Sequence, residues 1–336
     1  LTNPAKNSIL AWKSYIKKEF SMDNLIFSLN ATIPVFLVMV LGYFFHKIRL
    51  VDDSFVKTLN SFNFKVTLPV LLFQDLSSSD FRSVWDTKYV LFCFFATLIS
   101  IILIWIITAK LYHKKDYVGE FVQASYRSSA AILGIAFIQN IYGDAGMAPL
   151  MIIGTVPLYN IAAVIILSFT GPGEHTLTPA SLKKSIKGIL TNPIILGILA
   201  GILGSFLPFS FPVILQKTIK NIAVLATPLA LIGLGAGFEG KKALAEIRPT
   251  LLCSFIKLLL LPSVFLPFAI SMGFHTDKLV ALLIMLGSPT TVSCFIMAKN
   301  MGHEGVLTSS VVVATTFLSS VTITFWLYLL RSFGLI

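Results

Sequence analysis

Charge is scarce in this chain: Asp, Glu, Lys and Arg together make up 12% of its 336 residues, about half the share of an ordinary soluble domain. Cysteine is also sparse, and Cys93, Cys253 and Cys294 all sit inside apolar runs without metal-ligand spacing. That excludes a disulfide framework and leaves three small buried hydrophobes. The histidines, His46, His113, His175, His275 and His303, are scattered and form no paired His or HExxH arrangement. No metal site is expected. A phosphate-binding loop is missing too, because the turn Gly171-Pro172-Gly173 lacks the Lys-Ser/Thr pair that such a loop needs. Neither ATP hydrolysis nor a resident cofactor is expected.

What the chain does have is apolar length. It is 56% hydrophobic with 28 Phe, and its mean hydropathy is +0.85. Runs near the ~20 residues needed to cross ~30 Å of hydrocarbon recur along it. Ten are predicted to be transmembrane helices: about 25–45, 56–77, 89–112, 118–141, 147–170, 187–206, 212–237, 247–272, 278–299 and 305–331. The fold class is an all-α membrane protein. Loops after odd-numbered spans are the more basic, with Lys47, Arg49, Lys114, Lys115, Lys183, Lys184, Lys241 and Lys242 among their residues. Loops after even-numbered spans carry fewer, such as Arg82 and Lys217. The positive-inside rule then places both mature termini outside a multi-pass protein of the cell (plasma) membrane. The net charge of +11 is a topology signal, and no nucleic acid is needed to explain it.

Several residues recur 159 positions later in the same order: Pro34 at Pro193, Gly42 at Gly201, Pro69 at Pro228, Ser129 at Ser288, Gly143 at Gly302 and Gly146 at Gly305. Composition alone yields about one Pro or Gly coincidence at a fixed offset, so the chain reads as two copies of one unit. Five crossings per copy leave the second copy starting on the opposite side. The expected architecture is two inverted five-helix repeats, residues 22–170 and 187–336, joined by a cytoplasmic linker at 171–186. Inverted repeats of this kind characterise secondary transporters, in which related conformations open one site to alternate sides.

Residues 1–21 stand outside this scheme. Met22 directly precedes the first span and reads as a native start, which makes the preceding segment a non-native extension. The alternative is an interfacial helix, since Ile9, Trp12, Ile16 and Phe20 share one face.

Polar groups inside spans are costly unless buried in protein or facing water, so they mark where function sits. Span four carries Gln123-Ala124-Ser125-Tyr126-Arg127-Ser128-Ser129, and its counterpart in span nine is Gly287-Ser288-Pro289-Thr290-Thr291. Proline removes a helical N–H and clashes with the preceding turn, so span nine is predicted to break at Pro289. The repeat predicts the same break near Ser129 and Ala130. Two crossed, broken helices would aim the partial positive charge of half-helix N-termini at a common point, which suits an anion. A Pro kink or a Ser bonded back to its own helix is the ordinary alternative at each position taken alone.

The combination Tyr126-Arg127-Ser128-Ser129-Ala130-Ala131-Ile132-Leu133-Gly134, Val156-Pro157-Leu158-Tyr159-Asn160, Thr191-Asn192-Pro193, Ala226-Thr227-Pro228-Leu229 and Ser288-Pro289-Thr290-Thr291 resembles the auxin efflux carrier family. That family includes plant auxin exporters and bacterial permeases associated with malate or malonate. The resemblance runs from about Met22 to the C-terminus. It implies ten helices in inverted repeats, with a transport site where spans four and nine cross. The family usually has Asn where this chain has Ser129, and serine lacks the amide's reach and second donor.

The expected function is a secondary active transporter, a permease for a small organic anion such as a carboxylate. The candidate substrate-binding residues are Arg127, Ser128, Ser129, Tyr159, Asn160, Ser288, Pro289, Thr290 and Thr291. Asn160 is either a ligand or a helix–helix hydrogen bond. Arg127 either attracts a carboxylate or bonds broken-helix carbonyls. Lys65 is expected to line an aqueous path and Lys257 to pair with a carbonyl. No carboxylate lies at mid-depth of a span; Asp75 and Glu120 fall near span ends, which argues against a cation carrier. Proton or sodium coupling and a homodimer are compatible with this reading. A channel would show polar stripes at every depth, and a membrane enzyme would need a base that no in-span His supplies. A solute sensor on the same scaffold is the remaining alternative.

Overall fold

The structure, a computed structural model, describes residues 22–77, 85–112, 115–130, 138, 146–171, 186–206 and 211–336. Among these residues every regular element is helical and no strand occurs. The first half contains α1 (Met22–Lys47), α2 (Asp53–Phe62), α3 (Leu68–Ser77), α4 (Thr87–Leu111), α5 (Lys115–Tyr126) and α6 (Ala148–Thr170). The second half contains α7 (Pro193–Ser205), α8 (Val213–Ala223), α9 (Ala226–Ala236), the short α10 (Gly240–Ala245), α11 (Ile247–Phe255), α12 (Leu261–Ser271), α13 (Asp277–Gly287), α14 (Ser293–Asn300) and α15 (Val306–Ser332). Expectations for residues 1–21, the linker at 172–185, and 131–137 with 139–145 in and after span four lie outside the described residues.

Among the described residues, five helical stretches are long and apolar enough to cross a membrane: Thr87–Leu111, Ala148–Thr170, Val213–Ala236, Ile247–Ser271 and Val306–Ser332. Shorter apolar helices run over Ile33–Lys47 and Pro193–Ser205. Polar caps fix several starts. Asp52 accepts from the Phe55 N–H at 2.7 Å, Asp86 from Tyr89 at 3.0 Å, and Asn192 from Ile194 at 2.9 Å just before Pro193. Each satisfies a donor that the first helical turn leaves orphaned. A π-helical turn over Asn63–Thr67 joins α2 to α3, and another over Ile256–Leu260 joins α11 to α12. Beside the second turn, the Leu258 carbonyl is taken up by the Trp326 indole at 3.0 Å.

Helix association in lipid rests on close packing, because apolar surface gains nothing by leaving hydrocarbon. Glycines provide that closeness between α1 and α9 and between α3 and α7. A Cβ built on Gly42 would lie 2.4 Å from the Ile232 carbonyl oxygen, and one on Gly201 would lie 3.0 Å from the Phe73 Cα.

Outside the helix interiors, polar contacts tie the connecting segments together at two ends of the helices. At one end the Tyr117 hydroxyl donates to Glu246 at 3.0 Å and the His303 ring meets the Leu167 carbonyl at 3.1 Å. At the other end Lys278 pairs with Asp86 at 2.7 Å, and Thr276 N–H donates to the Leu335 carbonyl at 2.9 Å. The Lys278 salt bridge holds the Asp86 carboxyl below its ordinary range, with the Tyr89 N–H adding to the effect.

Candidate functional site

Both expected breaks are present. Helix α5 stops at Tyr126, and Arg127, Ser128 and Ser129 continue without helical structure. Helix α13 stops at Gly287, and the chain turns extended at Ser288 (φ −74, ψ 161) before α14 begins at Ser293. The breaks meet directly: the Ser129 N–H donates to the Pro289 carbonyl at 3.0 Å. Each break frees backbone groups that a continuous helix would have bonded, and part of that loss is made good across the junction.

Arg127 is the largest side chain buried at the junction, 1% exposed. Its NH2 donates to the Asn160 side-chain oxygen at 2.6 Å and to the Ser293 hydroxyl at 2.8 Å. Its NH1 reaches the Gln123 side-chain oxygen at 3.3 Å and the Met297 sulfur at 2.9 Å. The Tyr159 ring lies 5.9 Å away. These partners are all neutral, and the buried Nε has none. A buried guanidinium is costly without an opposite charge, and none of these hydrogen-bond partners carries one.

The remaining candidates divide by what holds them. Asn160 accepts from Arg127 and donates to the Val156 carbonyl at 2.8 Å, so it positions the guanidinium. Ser128 donates to the Met285 carbonyl, and the Tyr159 hydroxyl donates to the Ser128 carbonyl at 3.2 Å. Thr290 is used structurally, its hydroxyl donating to the Ala124 carbonyl at 2.7 Å and its N–H to the Thr315 hydroxyl at 3.0 Å. The Thr291 and Ser293 hydroxyls lie 3.2 Å apart.

A cavity of ≈ 80 Å³ opens at this junction. Arg127, Ser128, Ser129, Tyr159, Asn160, Pro289, Thr290 and Thr291 line it. So do Leu68, Leu72 and Asp75 of α3, Ile194 of α7, and Ala226 and Thr227 of α9. The N-terminus of α14 enters the wall through Thr291, Val292 and Ser293. Ser288 does not line the cavity; its buried hydroxyl has no partner.

The geometry also places polar residues outside the candidate set. Asp75 reaches the cavity wall although it lies near the end of its apolar run, because it shares a face of α3 with Leu68, Leu71 and Leu72. Glu120 is committed elsewhere: it is buried and accepts from Gly305 N–H at 2.7 Å and Thr308 N–H at 3.0 Å at the start of α15. Lys65 is exposed and lines no part of the cavity. Ser293 joins the site without having been singled out, its only sequence signal being polarity beside a break, and Gln123 joins it from the polar stretch of span four. Lys257 matches its expectation, donating from full burial to the carbonyls of Met285 (3.3 Å) and Leu286 at the C-terminal end of α13. A cation there offsets the negative end of the half-helix. No group of His, Cys, Asp or Glu among the described residues could hold a metal ion.

The sequence profile of a family described as "Membrane transport protein" matches residues 27–327. The chain belongs to that family. It is the family to which the motifs shared with auxin efflux carriers pointed, and its members are transporters, not enzymes. A relative in Rhizobium meliloti (strain 1021) named "Putative malonate transporter" is 26% identical over 318 residues, covering 89% of this chain and 95% of that protein. The transporter is thus a multi-pass membrane protein whose helix breaks, buried arginine and cavity lie within the matched span.

Proposed function

We propose that this transporter moves a small organic anion, a dicarboxylate of about malonate size, across the cell membrane by alternating access. The observation that carries the proposal is Arg127, buried in a neutral shell and facing a cavity that also receives the N-terminus of α14. Both features present positive potential where lipid and protein would otherwise exclude charge. Size supports the same class. A water-sized group needs ~10–15 Å³ by this measure, so ≈ 80 Å³ gives room for a compact dicarboxylate. The name of the relative agrees with this chemistry.

The architecture in this proposal is ten spans in two inverted repeats, 22–170 and 187–336, with both mature termini outside. Mirrored packing supports the repeat: the contacts Gly42–Ile232 and Gly201–Phe73 are related by the 159-residue offset. The loop glycines Gly146 and Gly305, also so related, each lie against a carboxylate, Asp277 and Glu120 respectively. The crossing elements α5, α13 and α14 would shift against a scaffold of α1 to α3 and α7 to α9. Asp75 lines the same cavity as Arg127, and in this reading its carboxylate couples movement to a proton or sodium ion.

Uptake of radiolabelled malonate into proteoliposomes tests the proposal. Saturable uptake, competed by other small dicarboxylates and lost in Arg127→Met, is expected. Binding without flux, or preference for a cationic solute, would overturn it. Imposed proton and sodium gradients distinguish the coupling ion, and the mass of the purified particle tests for a homodimer.

A further inference from the structure

A second recess lies away from the helix breaks, between α4 and the α11–α12 pair. It is a groove of ≈ 750 Å³ lined almost wholly by apolar side chains. Phe92 and Phe268 mark one end, and Leu111, Tyr112 and Leu252 mark the other. At 1.5 Å per helical residue the distance from Phe92 to Leu111 is about 28 Å, close to the ~30 Å thickness of a bilayer core. Its walls are exposed, with Leu103 at 52% and Phe255 at 51%, whereas its floor contains the buried Ala96 and Ser100. Small floor residues between large exposed walls leave an apolar trough along α4.

Charge at one mouth selects among hydrocarbon ligands. Lys110 lies in the last turn of α4, one turn beyond the groove residue Ile107. Arg248 lies in the first turn of α11, one turn before the groove residue Leu252. Residues at i, i+3 and i, i+4 share a helix face, so both cations stand on the groove side of their helices. Both are exposed, and neither has an ion-pair or hydrogen-bond partner among the described residues. The neighbouring carboxylate, Glu246, is engaged by the Tyr117 hydroxyl. At the opposite mouth Lys88 is tied to the Met272 carbonyl at 2.6 Å and lies over the Phe274 ring.

We infer that this groove binds an anionic phospholipid, with an acyl chain along α4 and α12 and the headgroup phosphate between Lys110 and Arg248. The inference is independent of the substrate reading. It places the lipid one side chain from the crossing, because Ser100 lines both the groove and a small internal cavity walled by Tyr126, Tyr159 and Met285.

Native mass spectrometry of the full chain, offered equimolar phosphatidylglycerol and phosphatidylcholine with identical acyl chains, tests it. Wild type is expected to retain phosphatidylglycerol at least about threefold over phosphatidylcholine, given the attraction of two juxtamembrane cations for anionic lipid. The exposed pair Lys110→Ser with Arg248→Ser should bring that ratio near unity, and Leu103→Trp, which narrows the trough, should reduce retention of both lipids. Equal retention by wild type, or a preference that survives the double substitution, would overturn the inference. So would a lipid-free particle of twice the chain mass that Leu103→Trp converts to single chains, which would assign the groove to a second copy.

Discussion

The backbone N–H of Ser129 donates to the carbonyl of Pro289 at 3.0 Å, joining two helix breaks that lie in different halves of the chain. Arg127, two residues before Ser129, is held from both halves, by Asn160 of α6 and Ser293 of α14. Charge, freed backbone and cavity therefore share one junction, and movement of either half would alter all three.

Removing the arginine's positioning partner should weaken transport without removing the charge. Asn160→Ala deletes a 2.6 Å charge-assisted bond, whose loss costs about 1.5–3 kcal/mol. That corresponds to roughly a 10- to 150-fold fall in kcat/KM for dicarboxylate uptake. Arg127→Met should abolish uptake altogether. Initial rates in proteoliposomes read both effects, and wild-type kinetics in Asn160→Ala would exclude the positioning role.

Ser129 offers a milder perturbation. Ser129→Asn preserves the backbone N–H that bonds Pro289 and adds amide reach toward the cavity. Transport should persist with a changed KM ranking among dicarboxylates of different length. Ser129→Pro deletes the donor and should stop transport while the chain still inserts in the membrane.

The role proposed for Asp75 predicts a separation of two activities. Asp75→Asn should remove the response of uptake to an imposed proton or sodium gradient and leave counterflow exchange of labelled for unlabelled substrate intact. Gradient-driven accumulation by this variant would exclude Asp75 as the coupling group.

Close helix packing makes Gly42 intolerant of a side chain. A Cβ there would meet the Ile232 carbonyl oxygen at 2.4 Å, so Gly42→Ala must push α1 from α9 at a cost of about 1–3 kcal/mol. Gly201→Ala should show a smaller effect of the same kind, since its nearest atoms lie at 3.0 Å. Thermal unfolding in detergent compares the two.

The pair Asp86–Lys278 predicts acid sensitivity. Asp86 has a lowered pKa in the folded protein, first through its bond to Lys278. A carboxylate shifted down contributes stability above its unfolded pKa, near 3.8, and loses it as pH falls through the lower folded value. Lys278→Ala should therefore lower the melting temperature at neutral pH and flatten its decline below about pH 4. Parallel melting curves for wild type and variant across that range would contradict the assignment.

Legibility in the sequence followed the range of the interactions involved. The break at Pro289 was readable because proline's missing N–H and its steric clash act within one turn. The partner role of Lys257 was readable in kind, since an isolated lysine in an apolar run must find acceptors, although Met285 and Leu286 could not be named. Ser293 and Met297 as partners of Arg127 were not readable, because they lie 166 and 170 residues away and their polarity has no pattern of its own. Asp75 was placed at a span end from its position along the run. Hydropathy reports position along a helix, and which face of α3 meets a cavity does not enter it.

The sequence by itself determined that the chain is helical, resides in a membrane and belongs to a transport family. These follow from properties written along one dimension: apolar length, the shortage of charge and the order of short motifs. Tertiary structure alone decided that Ser129 meets Pro289, that Arg127 sits among neutral partners, that Asp75 faces the cavity and that Glu120 does not. Each depends on a distance between residues remote in the chain, and such distances are set by how helices pack, which no local pattern records.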